Sequence, residues 1–79
     1  MIIRFFAAAR DVTDIEAWVP EDRKERTVKE LRLQLSNKFP QMEMLLPRCA
    51  IAINLAYADE TMIIRPGDDV AVLPPVSGG

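Results

Sequence analysis

The first residues of the chain alternate in a way that predicts a strand over Met1–Ala8. Ile3, Phe5 and Ala7 fall on one face, and Ile2, Arg4 and Phe6 fall on the other. The second face is mixed, so the pattern predicts a strand covered on one side and partly open on the other. The polar run Arg10–Asp14 reads as a turn, and Ile15–Val19 reads as a second strand closed by Pro20. Two neighbouring strands with a short polar link predict a hairpin.

A helix start follows. Thr27-Val28-Lys29-Glu30 has the spacing of a capping box, in which the Thr27 hydroxyl accepts from the Glu30 amide and the Glu30 carboxylate accepts from the Thr27 amide. Val28, Leu31, Leu35 and Phe39 form one apolar stripe at helical spacing, Leu33 lies off it, and Pro40 ends the pattern. Met42–Leu46 fits one further turn before Pro47. Ala50–Asn54 reads as a third strand, with Ile51 and Ile53 on one face and small alanines suited to a crowded opposite face. Asn54–Asp59 is a link or a second hairpin that includes Tyr57. Met62-Ile63-Ile64 is a short apolar piece. Arg65-Pro66-Gly67-Asp68 has Pro second and Gly third, the preference of a type II turn. Asp69–Leu73 is the last strand and runs into Pro74-Pro75-Val76-Ser77-Gly78-Gly79. The order predicts an α+β layer: a mixed sheet crossed by one main helix, over residues 1–73, followed by an extended tail, 74–79. First and last strands as central neighbours would place the tail beside the N-terminal strand.

Composition narrows the chemistry. The sequence has 79 residues, 49% of them apolar, which is enough for one small core and argues against disorder. Ten basic and twelve acidic residues leave a net charge of −2, and the cluster Arg23-Lys24-Glu25-Arg26 is broken by an acid, so nucleic-acid binding is not expected. There is no histidine and one cysteine, Cys49, which excludes an internal disulfide and provides no metal set, no imidazole base and no Cys-His pair. No apolar run reaches membrane-spanning length and no leader pattern opens the chain, so the expectation is a soluble cytoplasmic protein without membrane or cofactor.

The remaining reactive feature is the diglycine end. Gly78 and Gly79 carry no side chains near the last carbonyl, so they can enter a channel that a Cβ would block. Pro74 and Pro75 restrict the backbone to extended forms, and six residues span up to ~20 Å. Pre-ordering of this arm lowers the entropy cost of threading it into another protein.

Phe5-Phe6-Ala7 with Arg10, and Pro66-Gly67-Asp68-Asp69-Val70-Ala71 leading to Leu73-Pro74-Pro75-Val76-Ser77-Gly78-Gly79, carry a resemblance. The chain resembles the β-grasp, ubiquitin-like sulfur carriers, and within them the small subunits of molybdopterin synthase. The likeness covers the whole chain in length and order, and its specificity lies in the last fourteen residues. It implies that Gly79 is adenylated by an ATP-using, ubiquitin-activating-like adenylyltransferase and sulfurtransferase, then converted to a thiocarboxylate. It also implies that the larger synthase subunit accepts the tail in a heterotetramer and passes sulfur to a pterin precursor. The chain itself would be a substrate and subunit that is not catalytic alone and binds no cofactor. Two other roles share the fold: a thiamine-pathway sulfur carrier, and a ubiquitin-like protein modifier. The first tends to be shorter and lacks the Pro-Pro-Val-Ser-Gly-Gly ending; the second usually carries basic residues before Gly-Gly.

Phe6, Tyr57, Leu73 and Val76 are candidates for an apolar surface facing a partner around the tail; Phe6 and Leu73 fit the core equally well. Arg10 and Arg48 are candidates to pair with partner acids, or are solvated surface charge. Cys49 precedes an apolar strand and reads as a buried small hydrophobe rather than a persulfide carrier. Trp18 reads as packing, and Asp68 and Asp69 as turn formers.

Overall fold

A computed structural model describes residues 1–75; Val76, Ser77, Gly78 and Gly79 lie outside the described residues, and the tail expectations that rest on them lie there too. The first strand, β1 (Ile2–Phe5), pairs in parallel with the last, β7 (Asp69–Leu73), at the centre of a five-stranded mixed sheet. On one side β1 pairs antiparallel with β2 (Ala17–Trp18); on the other, β7 pairs antiparallel with β4 (Ala50–Ile53), which pairs with β5 (Ala56–Tyr57). The order is β2-β1-β7-β4-β5, and a separate two-stranded ribbon joins β3 (Arg26–Thr27) to β6 (Ile63–Ile64). The pairing of first and last strands, which the sequence pattern allows without requiring, places the exit of β7 beside β1.

Two-residue periodicity decides which face is covered. Ile3 and Phe5 of β1, Val70 and Val72 of β7 and Ile51 of β4 point inward and are buried. The helix α2 (Val28–Lys38) lays Val28, Leu31 and Leu35 on them. Its capping box forms as expected: Thr27 Oγ1 accepts from Glu30 N at 3.1 Å, and Glu30 Oε1 accepts from Thr27 N at 2.8 Å. Phe39 closes the helix and meets Phe5 edge to face at 5.4 Å and Trp18 at 6.0 Å, which makes Trp18 a packing residue. Met42 and Leu46 complete the core from two 3₁₀ turns, Pro40–Met42 and Leu46–Arg48, where the sequence predicts a single turn over 42–46.

The first connection differs more. Arg10–Asp14 is not a turn: Ala7–Thr13 is a helix, α1, so β1 and β2 pair without being a hairpin. Three alanines favour helix intrinsically. Ala9 and Thr13, four residues apart, are buried, and Thr13 Oγ1 donates to Ala9 O at 2.9 Å. Ala7 therefore leaves the strand face assigned to it. Asp14, with φ 60°, ends the helix in the left-handed region, its N–H donating to Arg10 O. The strand β3 also has no counterpart in the sequence pattern, because Arg26 and Thr27 are polar. It forms through its partner β6 and through the Arg26 guanidinium, which is buried against Gln34, Asp22 and the Lys24 carbonyl.

Candidate functional site: the open face beside the tail

The face of the sheet opposite α2 carries Leu73, the last residue of β7 before Pro74 and Pro75. Strand register sets its composition. Arg4 stands opposite Ala71, Ala71 opposite Ala52, and Ala52 opposite Tyr57, so one row crosses four strands; Leu73 stands opposite Ala50. Of the alanines expected on a crowded face, Ala52 is buried at the base of a recess and Ala50 is exposed. Larger apolar groups rise around them. Phe6, Ala52, Leu55, Tyr57, Asp69, Ala71 and Leu73 line one recess of about 290 Å³. Phe6 is 42% exposed and Tyr57 77%, which places both outside the core; Leu73 is half-buried at its edge.

Each wall has a local cause. Phe6 sits in extended backbone where β1 gives way to α1, and its carbonyl accepts from Ala9 N at 3.0 Å. The chain reverses at once, with Ala7 at φ 48°, so the Phe6 ring is left at the surface. Tyr57 lies on β5, the second arm of a hairpin whose connection is Asn54-Leu55. Leu73 ends β7 and leads directly into Pro74 and Pro75.

Of the predicted contact residues, the recess gathers Phe6, Tyr57 and Leu73. Arg10 lies on the other side of Phe6, in a second hollow with Arg4, Glu16 and Ala17. Among the described residues Arg10 makes no ion pair. The charge inside the recess is largely cancelled: Arg4 Nε donates to both Asp69 carboxylate oxygens, at 3.0 and 3.1 Å.

The floor of the site is tied to the preceding turn. Asp68 N donates to Arg65 O at 3.0 Å, and Gly67 has φ 93°, as a type II turn requires of its third residue. The Asp68 carboxylate accepts from Arg65 N at 2.8 Å and from Asn54 Nδ2 at 3.0 Å. Those donors, the Arg65 amide first, hold its carboxyl below the usual carboxylate range. Asp68 and Asp69 are thus structural acids, one holding a turn and one paired to Arg4.

Cys49 is buried, and its thiol donates to Leu45 O at 3.4 Å. Burial pushes the thiol pKa up, against the opposing charges of Arg32 and Arg48. A protonated, enclosed thiol is a poor nucleophile, which favours the packing role. Among the described residues no group of three His, Cys, Asp or Glu side chains could hold a metal, and no helix is long and apolar enough to cross a membrane.

Leu55 is the wall residue that sequence reading misses. The one available signal is Asn54 after an alternating strand, since Asn tolerates the left-handed conformation that tight hairpins demand.

A mixed sheet with parallel first and last strands at its centre, one main helix across one face and a C-terminal strand running into Pro-Pro defines a β-grasp, ubiquitin-like domain. The chain belongs to the ThiS family, whose model matches residues 3–79. The molybdopterin synthase sulfur carrier subunit of Arabidopsis thaliana is 29% identical over 77 residues, covering 98% of this chain and 80% of the relative. The small archaeal modifier protein 1 of H. volcanii superposes with a TM-score of 0.79 at 23% identity, covering 95% of both chains, which is a likeness of fold. A chain in the solved complex of subunits 1 and 2 of the molybdopterin-converting factor from Helicobacter pylori matches with a TM-score of 0.70 and 30% identity, over 99% of this chain and 96% of that one.

Proposed function

We propose that the chain is the sulfur-carrier subunit of a molybdopterin synthase, with the carboxylate of Gly79 as the point where sulfur is attached. The observation that carries this reading is the family match, which runs through the diglycine end to residue 79, together with relatives that are themselves synthase sulfur carriers.

The chemistry follows from the weakness of a carboxylate as an electrophile. Its charge repels nucleophiles, and oxide does not leave. An activating partner of the adenylyltransferase class supplies ATP; the Gly79 carboxylate attacks the α-phosphorus and releases pyrophosphate, giving an acyl adenylate. A persulfide sulfur then attacks the acyl carbon and AMP departs. Reductive cleavage of the sulfur–sulfur bond by a thiol leaves the thiocarboxylate. In the synthase that sulfur passes to a pterin precursor, and hydrolysis returns the carboxylate for recharging. ATP is bound and consumed at the activator, and the carrier needs no cofactor of its own.

This chain contributes placement. The recess beside β7 offers Phe6, Tyr57 and Leu73 as apolar anchors at the root of the arm, where burial against a partner yields most binding energy. The larger synthase subunit docks there and receives Pro74–Gly79; Arg10, beside Phe6, lies at the polar rim. A heterotetramer in the cytoplasm is the assembly we expect; the Helicobacter pylori complex of subunits 1 and 2 supports the pairing of the two kinds of subunit.

Intact-mass measurement tests the reading. Incubation with an activating enzyme, ATP and a persulfide donor should exchange one oxygen for sulfur, and the charged chain should convert pterin precursor in the presence of the larger subunit. Gly79→Ala should fold normally but lose at least ten-fold in thiocarboxylate yield at early times, before the wild type is fully charged, the rate effect of a ~1.4 kcal/mol misfit of the added methyl. Equal yield from that variant sinks the assignment of Gly79. Lysine-linked adducts in place of the sulfur exchange would favour the protein-modifier role.

A further inference from the structure

Asn54 and Leu55 form the two-residue connection of the β4–β5 hairpin, and both lie in the left-handed region, with φ 49° and 71°. Such a turn favours Asn first and Gly second. Asn54 fits this rule and is locked: its N–H donates to Asp69 O at 2.7 Å, its Oδ1 accepts from Asp69 N at 2.9 Å, and its Nδ2 donates to Asp68 Oδ1 at 3.0 Å. Leu55 breaks the rule. A branched side chain in this region is strained, and this one gains nothing from its own fold, since it is fully exposed at 102%. A position where glycine would serve the fold better holds a large aliphatic group on a rigid turn at the rim of the tail-side recess.

We infer that Leu55 is a further anchor for the larger synthase subunit, seated in an apolar hollow of that partner and contributing to its selectivity; this rests on the carrier reading above. Reach selects the occupant. Gly79 is four residues on from Pro75, a span of at most about 14 Å. A protein that encloses the Gly79 carboxylate must therefore bring its surface close to the root of the arm, and the recess that Leu73 and Leu55 share lies there. Charge selects its chemistry: Asp69, the charged residue of the recess, is paired to Arg4, so an apolar surface fits without stranding an ion. Backbone strain held by a network of hydrogen bonds at a binding surface is the arrangement expected when a side chain serves a partner rather than the fold.

The test uses the full chain and the cognate larger synthase subunit. Leu55→Gly and Leu55→Asn both suit the left-handed turn and should keep or raise the Tm, while weakening affinity for the larger subunit about ten- to one hundred-fold, the loss of one buried leucine. Leu55→Met should bind within about three-fold of the wild type, since the swap conserves volume. Unchanged affinity of the glycine and asparagine variants overturns the inference, as does a loss of affinity accompanied by a matching fall in Tm. If the wild-type chain itself does not bind the larger subunit, the carrier reading fails with it. Binding by the wild type and by Leu55→Gly alike removes the role of Leu55 alone.

Discussion

Single residues in this protein divide by what their backbone demands. Gly67 occupies a left-handed position, at φ 93°, with open space where a Cβ would stand. Only conformational strain therefore opposes a side chain there. Gly67→Ala should cost about 1 kcal/mol and lower Tm by about 4–8 °C, readable by calorimetry. An unchanged midpoint would show that the turn tolerates Ala. Leu55 shares the left-handed region with Ala7, Asp14 and Asn54, and it is the large aliphatic, fully exposed side chain among them that singles it out. The two cases differ in legibility. Gly67 is plain in the sequence because Pro-Gly has a known turn geometry. Leu55 is not, because its left-handed backbone is imposed by the register Ile53↔Ala56, which leaves two residues to reverse the chain.

At the scale of elements, α2 is stabilised at its start by reciprocal hydrogen bonds. Thr27→Ala removes the acceptor for the Glu30 amide and should cost about 1 kcal/mol by denaturant unfolding. The same motif predicts acid sensitivity. Glu30 is held below the usual carboxylate range, first by the Thr27 amide; Asp22 by the Lys24 amide, Asp59 by the Thr61 hydroxyl and Asp68 by the Arg65 amide are shifted the same way. A carboxyl whose pKa is lower in the folded chain stabilises it above its unfolded value and loses that contribution as pH falls through the folded one. Stability should thus be flat from neutrality to about pH 5 and decline below about pH 4. Stability that rises on acidification in that window would contradict the assignment. α2 was legible because stripe, cap and proline terminator agree. α1 was not: its seven residues present too short a period to separate from a strand end, and it is secured by the burial of Ala9 and Thr13.

For the molecule as a whole, a single core joins both ends of the chain. Ile3 and Phe5 from the beginning pack with Val70 and Val72 from the end beneath α2. A domain of 79 residues has about 4–12 kcal/mol of stability in total. Leu35, fully buried in that core, should cost about 2–5 kcal/mol when replaced by Ala, a large share of that total, and lower Tm by more than about 8 °C. Circular dichroism on heating would show it, and a midpoint within a few degrees of the wild type would contradict the packing described. The tail is anchored to this core through β7, a central strand. Damage to the core therefore moves the arm as well as the fold, whereas substitutions on the open face should spare folding and affect binding.

Local physics was enough for much of this protein. Alternation assigned Ile3, Phe5 and Ile51 to strands, a short apolar run assigned Val70 and Val72, capping and a proline bounded α2, Pro-Gly set the last turn, and the residue inventory left the diglycine end as the sole reactive feature. These signals lie within a few residues of one another, where propensity and sterics act. Tertiary structure alone decided the rest. Pairing across the length of the chain made a strand of polar Arg26-Thr27, converted Ala52 and Ala71 into the floor of an open recess, and brought Phe6, Leu55, Tyr57 and Leu73 around the root of the arm. No local preference encodes which face of a strand its neighbours leave uncovered. That is settled only when register and the single covering helix are in place.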